Sequence, residues 1–187
     1  YWPLVSCPVF FISSSNDFHS AFDRIYKSMA LLKHNAWRVS TNIHENHGPG
    51  PEQWALLIKW FNLHLKGINQ KIPVTPPSTF EVNGQTARFT VTPEDRHQRL
   101  LDTEIYYSYD PNARTRFWNR ADAVQSGATW SLDLPIHKNL PLYVYASCRY
   151  SIDTEMETLK GTTSTIVVNS LEYTIVPEQV DLQALAR

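Results

Sequence analysis

The chain has 187 residues, of which 42% are hydrophobic and 19% charged, with 17 basic and 18 acidic side chains. This composition is ordinary for a folded chain of one or two domains. A net charge of −1 provides no long-range attraction to a phosphate backbone or an anionic membrane, so we expect no nucleic-acid and no membrane partner. The longest apolar stretches, residues 7–12 and 54–61, are far shorter than the roughly 20 residues of a membrane-spanning helix.

The two cysteines, Cys7 and Cys148, lie far apart in the sequence and in apolar surroundings. They predict neither a disulfide framework nor a metal cluster, and we expect both to pack as small hydrophobic side chains. The sequence begins at Tyr1 with neither an initiator methionine nor a signal-peptide pattern. This start is typical of a fragment or a processed product.

The first part of the chain predicts the order strand, helix, strand, helix. The apolar run at residues 8–12 predicts a buried strand, and apolar positions at helical spacing between residues 22 and 32 predict a helix. Alternating residues 37–43 predict a second strand. A second helix is predicted from Pro51 to Gly67, because proline is favoured at the first helical position and glycine after the last.

A composition change follows the second predicted helix, where three prolines occur within residues 73–77. We place a boundary there, between a first domain at residues 1–71 and a second at residues 72–187. The second part predicts six to eight short strands separated by turns such as Asn83-Gly84. The predicted strands are residues 79–82, 87–92, 104–109, 116–119, 129–134, 142–150, 163–168 and 173–176. This pattern indicates an antiparallel β-sandwich of the immunoglobulin or fibronectin III kind.

The most informative pair of polar residues is Asp17, after the first strand, and His47, after the second. In a parallel sheet the loops that follow neighbouring strands meet at one edge, where ligands bind. A carboxylate there can fix the tautomer of an imidazole, which can then act as a general base. Asp17 and His47 are therefore candidate catalytic residues.

Residues 8–17, the sequence His47-Gly48-Pro49-Gly50 and the apolar residues of 58–65 together resemble the end of an α/β-hydrolase esterase of the dienelactone hydrolase or acetyl xylan esterase type. The resemblance implies the fold class α/β plus all-β: the C-terminal strand-helix-strand-helix portion of an α/β-hydrolase sheet, followed by the β-sandwich. It makes Asp17 the acid and His47 the base of a Ser-His-Asp triad. No serine stands in a Gly-x-Ser-x-Gly sequence, so the nucleophile is expected outside this chain.

The resemblance also implies a function and its partners. We expect the C-terminal region of a serine-dependent carboxylic ester hydrolase, acting without a cofactor on an ester that is plausibly linked to a polysaccharide. Whether the chain counts as an enzyme is undecided, since alone it lacks the nucleophile. Because residues 1–71 would leave apolar strand surface uncovered, the expected partner is the missing N-terminal hydrolase portion or a second copy of the chain. A periplasmic or secreted location follows by analogy, and a cytoplasmic one is not excluded.

Other residues admit two interpretations. His19 and His44 are candidate binding residues that border the site. Together with Glu45 and His47 they could instead bind a metal ion. A loop of glycine and proline residues is poorly suited to direct both imidazole rings at one ion, so we expect no metal. Trp118 is a candidate carbohydrate-binding residue, and the alternative function is a non-catalytic carbohydrate-binding or interaction module. Core packing is the competing role for the aromatic residues of the second part. Arg114, Arg116 and Arg120 predict a solvated strand end.

Overall fold

The computed structural model describes residues 1–19 and 21–177. A short 3₁₀-helix at Trp2–Leu4 precedes two helices, α1 at Phe22–Met29 and α2 at Pro51–His64. The strands of the first part are β1 at Val9–Ser14 and β2 at Trp37–Asn42. The remaining strands are β3 Ser78–Asn83, β4 Thr86–Val91, β5 Leu100–Ser108, β6 Asn119–Arg120, β7 Val124–Ser126, β8 Thr129–Pro135, β9 Leu142–Thr158, β10 Gly161–Asn169 and β11 Tyr173–Ile175.

The first part contains a two-stranded parallel sheet, in which β1 pairs with β2 in the register Val9 to Trp37. Helix α1 connects the two strands and buries its apolar residues at positions 22, 25, 26 and 29, the spacing of one helical face. Helix α2 begins at Pro51, where the missing N–H group leaves no hydrogen bond unmade. Its buried residues include Ala55, Leu56 and Trp60.

Residues 78–175, called here the antiparallel region, form two sheets. One has the strand order β10-β9-β5-β6 with β11 paired to β9, and the other has the order β3-β4-β8-β7. Alternate residues of the central strands point into a shared core, as Ala87, Phe89 and Val91 of β4 show by their complete burial. Long strand β9 carries buried residues from Leu142 to Tyr150 and joins three other strands to this core.

The first part packs directly against the antiparallel region. Ala55, Leu56 and Trp60 of α2 belong to the same hydrophobic cluster as Val144 and Ile166. Between β2 and β10, the Thr41 N–H donates to Asn169 Oδ1 at 3.0 Å, and Ser40 Oγ donates to the Val167 carbonyl oxygen. These buried contacts fix the carboxyl ends of β1 and β2 relative to the second part of the chain.

The expected fold class is wrong. Strands account for 42% of the residues and helices for 14%, and residues 1–19 and 21–177 contain only two α-helices. The structure is therefore mostly β and not an α/β-hydrolase sheet followed by a sandwich. Parallel pairing is confined to β1 and β2, and the other strand pairs in the described residues are antiparallel. The sequence pattern correctly placed one strand-helix-strand-helix unit, but local periodicity does not report how many strands a sheet contains. Within the described chain, no helix has both the length and the apolar character that crossing a membrane requires.

Candidate functional site

Asp17 is held at the carboxyl end of β1 by a tight turn. The Asp17 N–H donates to the Ser14 carbonyl oxygen at 3.2 Å, and the His19 N–H donates to Asp17 Oδ1 at 2.7 Å. Only 7% of the Asp17 side chain is exposed. The bond from the His19 N–H therefore fixes the orientation of the Asp17 carboxyl group at the strand end.

His47 lies in the loop of residues 43–50, called here the histidine loop, which joins β2 to α2. Ser14 Oγ donates to the Gly48 carbonyl oxygen at 2.9 Å, and the Gly50 N–H donates to Asn42 Oδ1 at 3.2 Å. Gly48 has φ +96°, a conformation that a residue with a Cβ atom rarely adopts. The loop is therefore shaped by its glycine and fastened to the ends of both parallel strands.

The structure brings Asp17 and His47 together. His47 Nδ1 lies 3.0 Å from Asp17 Oδ2, and 59% of the histidine side chain is exposed. In a neutral ring, a carboxylate at this distance favours the tautomer with the proton on Nδ1 and the lone pair on Nε2. No group among the described residues hydrogen-bonds Nε2. The pair has the arrangement of a carboxylate-oriented general base with its reactive nitrogen open.

His19, predicted to border the site, does lie beside His47. Their ring centroids are 5.3 Å apart in an edge-to-face arrangement, and the Phe18 ring lies 5.6 Å from that of His47. Aromatic rings at these distances restrict the movement of a neighbouring ring. Phe18 was not singled out from the sequence, because an aromatic residue directly after a predicted catalytic aspartate carries no signal of its own.

His44 connects the histidine loop to the antiparallel region. His44 Nε2 lies 2.8 Å from the Trp118 carbonyl oxygen and 3.1 Å from the Trp118 N–H nitrogen, and the tautomer decides which of the two is bonded. The His44 ring also stacks on Phe117, at a centroid distance of 4.5 Å. The His44 ring therefore contacts the loop that carries Phe117 and Trp118, and its role as a binding residue stays a prediction.

Asn16 provides a second connection, which the sequence did not reveal. Asn16 Nδ2 donates to the Arg116 carbonyl oxygen at 2.7 Å, and the Asn16 N–H donates to the Glu45 carbonyl oxygen at 3.1 Å. Asn16 therefore bonds both the histidine loop and the segment of residues 114–118. Its partners are about 30 and 100 positions away in the chain, a separation at which sequence spacing is uninformative.

Trp118 does not have the exposed ring that a carbohydrate-binding role requires. Only 1% of it is accessible, and it packs edge-to-face against Phe22 and Tyr145 at centroid distances of 5.5 and 4.9 Å. The prediction of Trp118 as a sugar-stacking residue is therefore corrected to a role in packing. It fills the space between α1 and the antiparallel region because a large aromatic side chain contributes more by burial than by exposure.

The prediction of a solvated strand end is also wrong for Arg116, whose side chain is completely buried. Its guanidinium forms two hydrogen bonds with the Asp23 carboxylate, at 2.6 and 3.1 Å, and lies 3.4 Å from the centroid of the Tyr143 ring. Glu172 Oε1 lies 3.7 Å from Arg116 Nη1. Because Asp23 is on α1, this cluster fastens the helix that follows the Asp17 turn to the antiparallel region.

Glu172 makes this cluster sensitive to pH. Burial, together with the neighbouring Asp23 carboxylate, raises the pKa of Glu172 well above its usual value, although Arg116 acts in the opposite direction. The pKa of this carboxyl group is higher in the folded state than in the unfolded state. Its contribution to stability is therefore complete below the pKa of the unfolded state, and it is lost as pH rises toward the pKa of the folded state. The contribution of Glu172 to stability should therefore decline as pH rises above the ordinary glutamate pKa of about 4.3.

We expect Glu172→Gln to reduce that decline, because glutamine resembles the neutral carboxyl at every pH. The variant should match the wild type near pH 5 and have the larger free energy of unfolding near pH 8. Urea denaturation at both pH values measures the difference. Glu155→Gln removes an exposed carboxylate and serves as the control. Equal pH slopes in all three proteins would contradict a raised pKa of Glu172.

The serines at the end of β1 and directly after it have bonding partners other than His47. Ser13 Oγ donates to the Ser14 carbonyl oxygen, Ser14 Oγ to Gly48, and Ser15 Oγ to Asn16 Oδ1. None of these hydroxyl groups hydrogen-bonds His47. In the part of the chain that the structure describes, no group of three histidine, cysteine, aspartate or glutamate residues is arranged to hold a metal ion.

We compared the chain with protein families and with curated protein sequences. No protein-family model matches the chain, and no curated protein sequence is significantly similar to it. The function is therefore argued from the geometry of the site.

Proposed function

We propose that this chain is the C-terminal region of a serine-dependent carboxylic ester hydrolase. In this proposal Asp17 and His47 are the acid and base of a Ser-His-Asp triad, and the nucleophilic serine belongs to sequence outside the chain. The observation that carries the proposal is the 3.0 Å contact between His47 Nδ1 and the buried Asp17 carboxylate, while no described residue hydrogen-bonds His47 Nε2. A solvent-facing imidazole oriented in this way is what a serine hydroxyl needs to lose its proton.

Each residue has a defined step in the reaction. His47 Nε2 would take the proton of the serine hydroxyl as that oxygen attacks the ester carbonyl carbon, and would then donate it to the departing alcohol. Asp17 would hold the ring in the productive tautomer and stabilise the imidazolium that forms between these two transfers. A water molecule would use the same base to release the acid product, which completes acyl transfer to water.

The open edge of β1 supports the need for a partner. Among the described residues β1 pairs only with β2, so the other side of β1 presents unpaired backbone groups. Val9, Phe10, Phe11 and Ile12 are only partly buried, and Leu4 nearby is exposed. Since an uncovered apolar edge strand invites association, we propose that the serine-bearing portion covers it, or else a second copy of the chain.

Fluorophosphonate labelling tests the proposed function. The reagent should react covalently with one serine in a protein that contains this chain joined to the proposed serine-bearing portion. Mass spectrometry should locate the label outside residues 1–187. His47→Ala should slow incorporation of the label by at least about 100-fold, the lower limit of the rate acceleration that a general base typically provides. A label on a serine of this chain, or unchanged labelling of His47→Ala, would overturn the proposal.

A further inference from the structure

A groove lies between α1 and the antiparallel region, next to the rings of Phe18 and His19 that flank His47. Its volume is about 1070 Å³, and its walls include α1 on one side and residues 111–114 with the end of β11 on the other. Phe18 and His19, whose rings flank His47, line the same groove. This volume lies at the upper end of the range for small-molecule sites.

The groove has an excess of positive charge on both walls. Arg24 and Lys27 contribute from successive turns of α1, and Arg114 contributes from the opposite wall. All three side chains are exposed and, in the described part of the chain, none has an ion-pair partner.

The acidic residues of the groove do not cancel this charge. Asp23 is already paired with the buried Arg116, at 2.6 Å. Only 3% of the Glu172 side chain is exposed, and burial raises the pKa of this carboxyl group. Glu172 Oε1 is also buried without a hydrogen-bond partner. The groove therefore combines three exposed cations with two carboxyl groups, of which Asp23 is paired with Arg116 and Glu172 is buried.

We infer that this groove binds a multiply charged organic anion, which Lys27 and Arg24 on one wall and Arg114 on the other contact together. Cations on two facing walls favour a ligand with at least two negative groups, since a single carboxylate or phosphate would satisfy one wall only. Carboxylate and phosphate share the required chemistry, and the test below distinguishes them. This inference goes beyond the proposed esterase function and does not require His47 to be catalytic.

The experiment titrates the chain with citrate, with pyrophosphate and with trimethyl citrate, the neutral analogue of citrate, and measures binding by calorimetry or NMR. At least one anion should bind about tenfold or more tightly than trimethyl citrate, as expected when charge-assisted hydrogen bonds are gained. Tighter binding of citrate would assign the site to polycarboxylates, and tighter binding of pyrophosphate would assign it to phosphorylated ligands.

Charge reversal locates the site. Lys27→Glu and Arg114→Glu, on opposite walls, should each weaken binding of the anion about tenfold or more, whereas Lys66→Glu, at an exposed lysine outside the groove, should not. The three substitutions are at exposed positions, so all three variants are expected to fold. Equal affinity for citrate, pyrophosphate and trimethyl citrate, or the same small effect for all three substitutions, would overturn the inference. Because the experiment measures binding and not turnover, a negative result for the anion site is distinguishable from a negative result for the esterase proposal.

Discussion

His47→Ala is expected to lower kcat for hydrolysis of p-nitrophenyl acetate by about 10⁴-fold or more in a protein that contains this chain with its serine-bearing portion. The substitution removes the group that accepts the serine proton, and the Asp17 carboxylate cannot replace it because it lies behind the ring. The affinity for substrate should change much less than kcat, since the imidazole acts mainly in the transition state.

His97→Ala is a matched control, because His97 is an exposed histidine of the antiparallel region. Its kcat should equal that of the wild type. Circular dichroism and thermal unfolding of both variants establish that they are folded. If the activities of the two histidine variants were the same, His47 would have no part in the chemistry.

Arg116→Ala is expected to reduce the free energy of unfolding by about 3–5 kcal/mol, the cost typical of removing one member of a buried ion pair. The wild-type guanidinium has no exposed surface and bonds Asp23 through two nitrogen atoms. Without it, the Asp23 carboxylate would face Glu172 in a poorly solvated space, and the Tyr143 ring would lose its cation contact. Such a loss is a large part of the total stability of a typical domain, about 5–15 kcal/mol.

Arg88→Ala provides the comparison. Arg88 also forms two hydrogen bonds with a carboxylate, that of Asp133, but both side chains are at least half exposed. Its loss should therefore change the free energy of unfolding by less than about 1 kcal/mol. Urea denaturation measures both variants under the same conditions. Similar values for Arg88→Ala and Arg116→Ala would contradict the account of the buried cluster.

Most secondary-structure elements of this chain could be located from its sequence. The helix beginning at Pro51 and the parallel strands before Asp17 and His47 occur where the apolar spacing predicted them. In the second part, strands were predicted within a few residues of β3, β4, β8 and β10. One predicted strand at residues 116–119 is instead a loop followed by the two-residue strand β6 at Asn119–Arg120. Arg116 and Trp118 are buried at alternate positions, which imitates the burial pattern of a strand.

The fold class was not predictable in the same way. A strand-helix-strand-helix order is compatible with a large parallel sheet or with a single parallel pair packed against antiparallel strands. The contacts of β2 and α2 with the antiparallel region distinguish these two possibilities. In one of them Thr41 bonds Asn169, a residue more than a hundred positions away in the sequence. No local pattern encodes such pairs.

Some residues in and around the candidate site were predicted from the sequence, and others were recognised only in the structure. Asp17 and His47 were found because each follows a strand, and neighbouring parallel strands bring such residues to one edge. Asn16, Arg116 and Glu172 were missed as contributors because their roles depend on contacts between distant segments. A buried arginine beside a buried glutamate contradicts the average behaviour of charged side chains, and only the tertiary structure shows its partners.

The tautomer of His47 tests the central claim most directly, and it can be determined on this chain alone by ¹⁵N NMR of the imidazole ring. With the neutral ring, the account predicts a protonated Nδ1 and an unprotonated Nε2 in the wild type, because Asp17 accepts the Nδ1 proton. In Asp17→Asn this preference should be lost. An unprotonated Nδ1 in the wild type, or a tautomer that does not respond to Asp17→Asn, would contradict the pairing on which the proposed function depends.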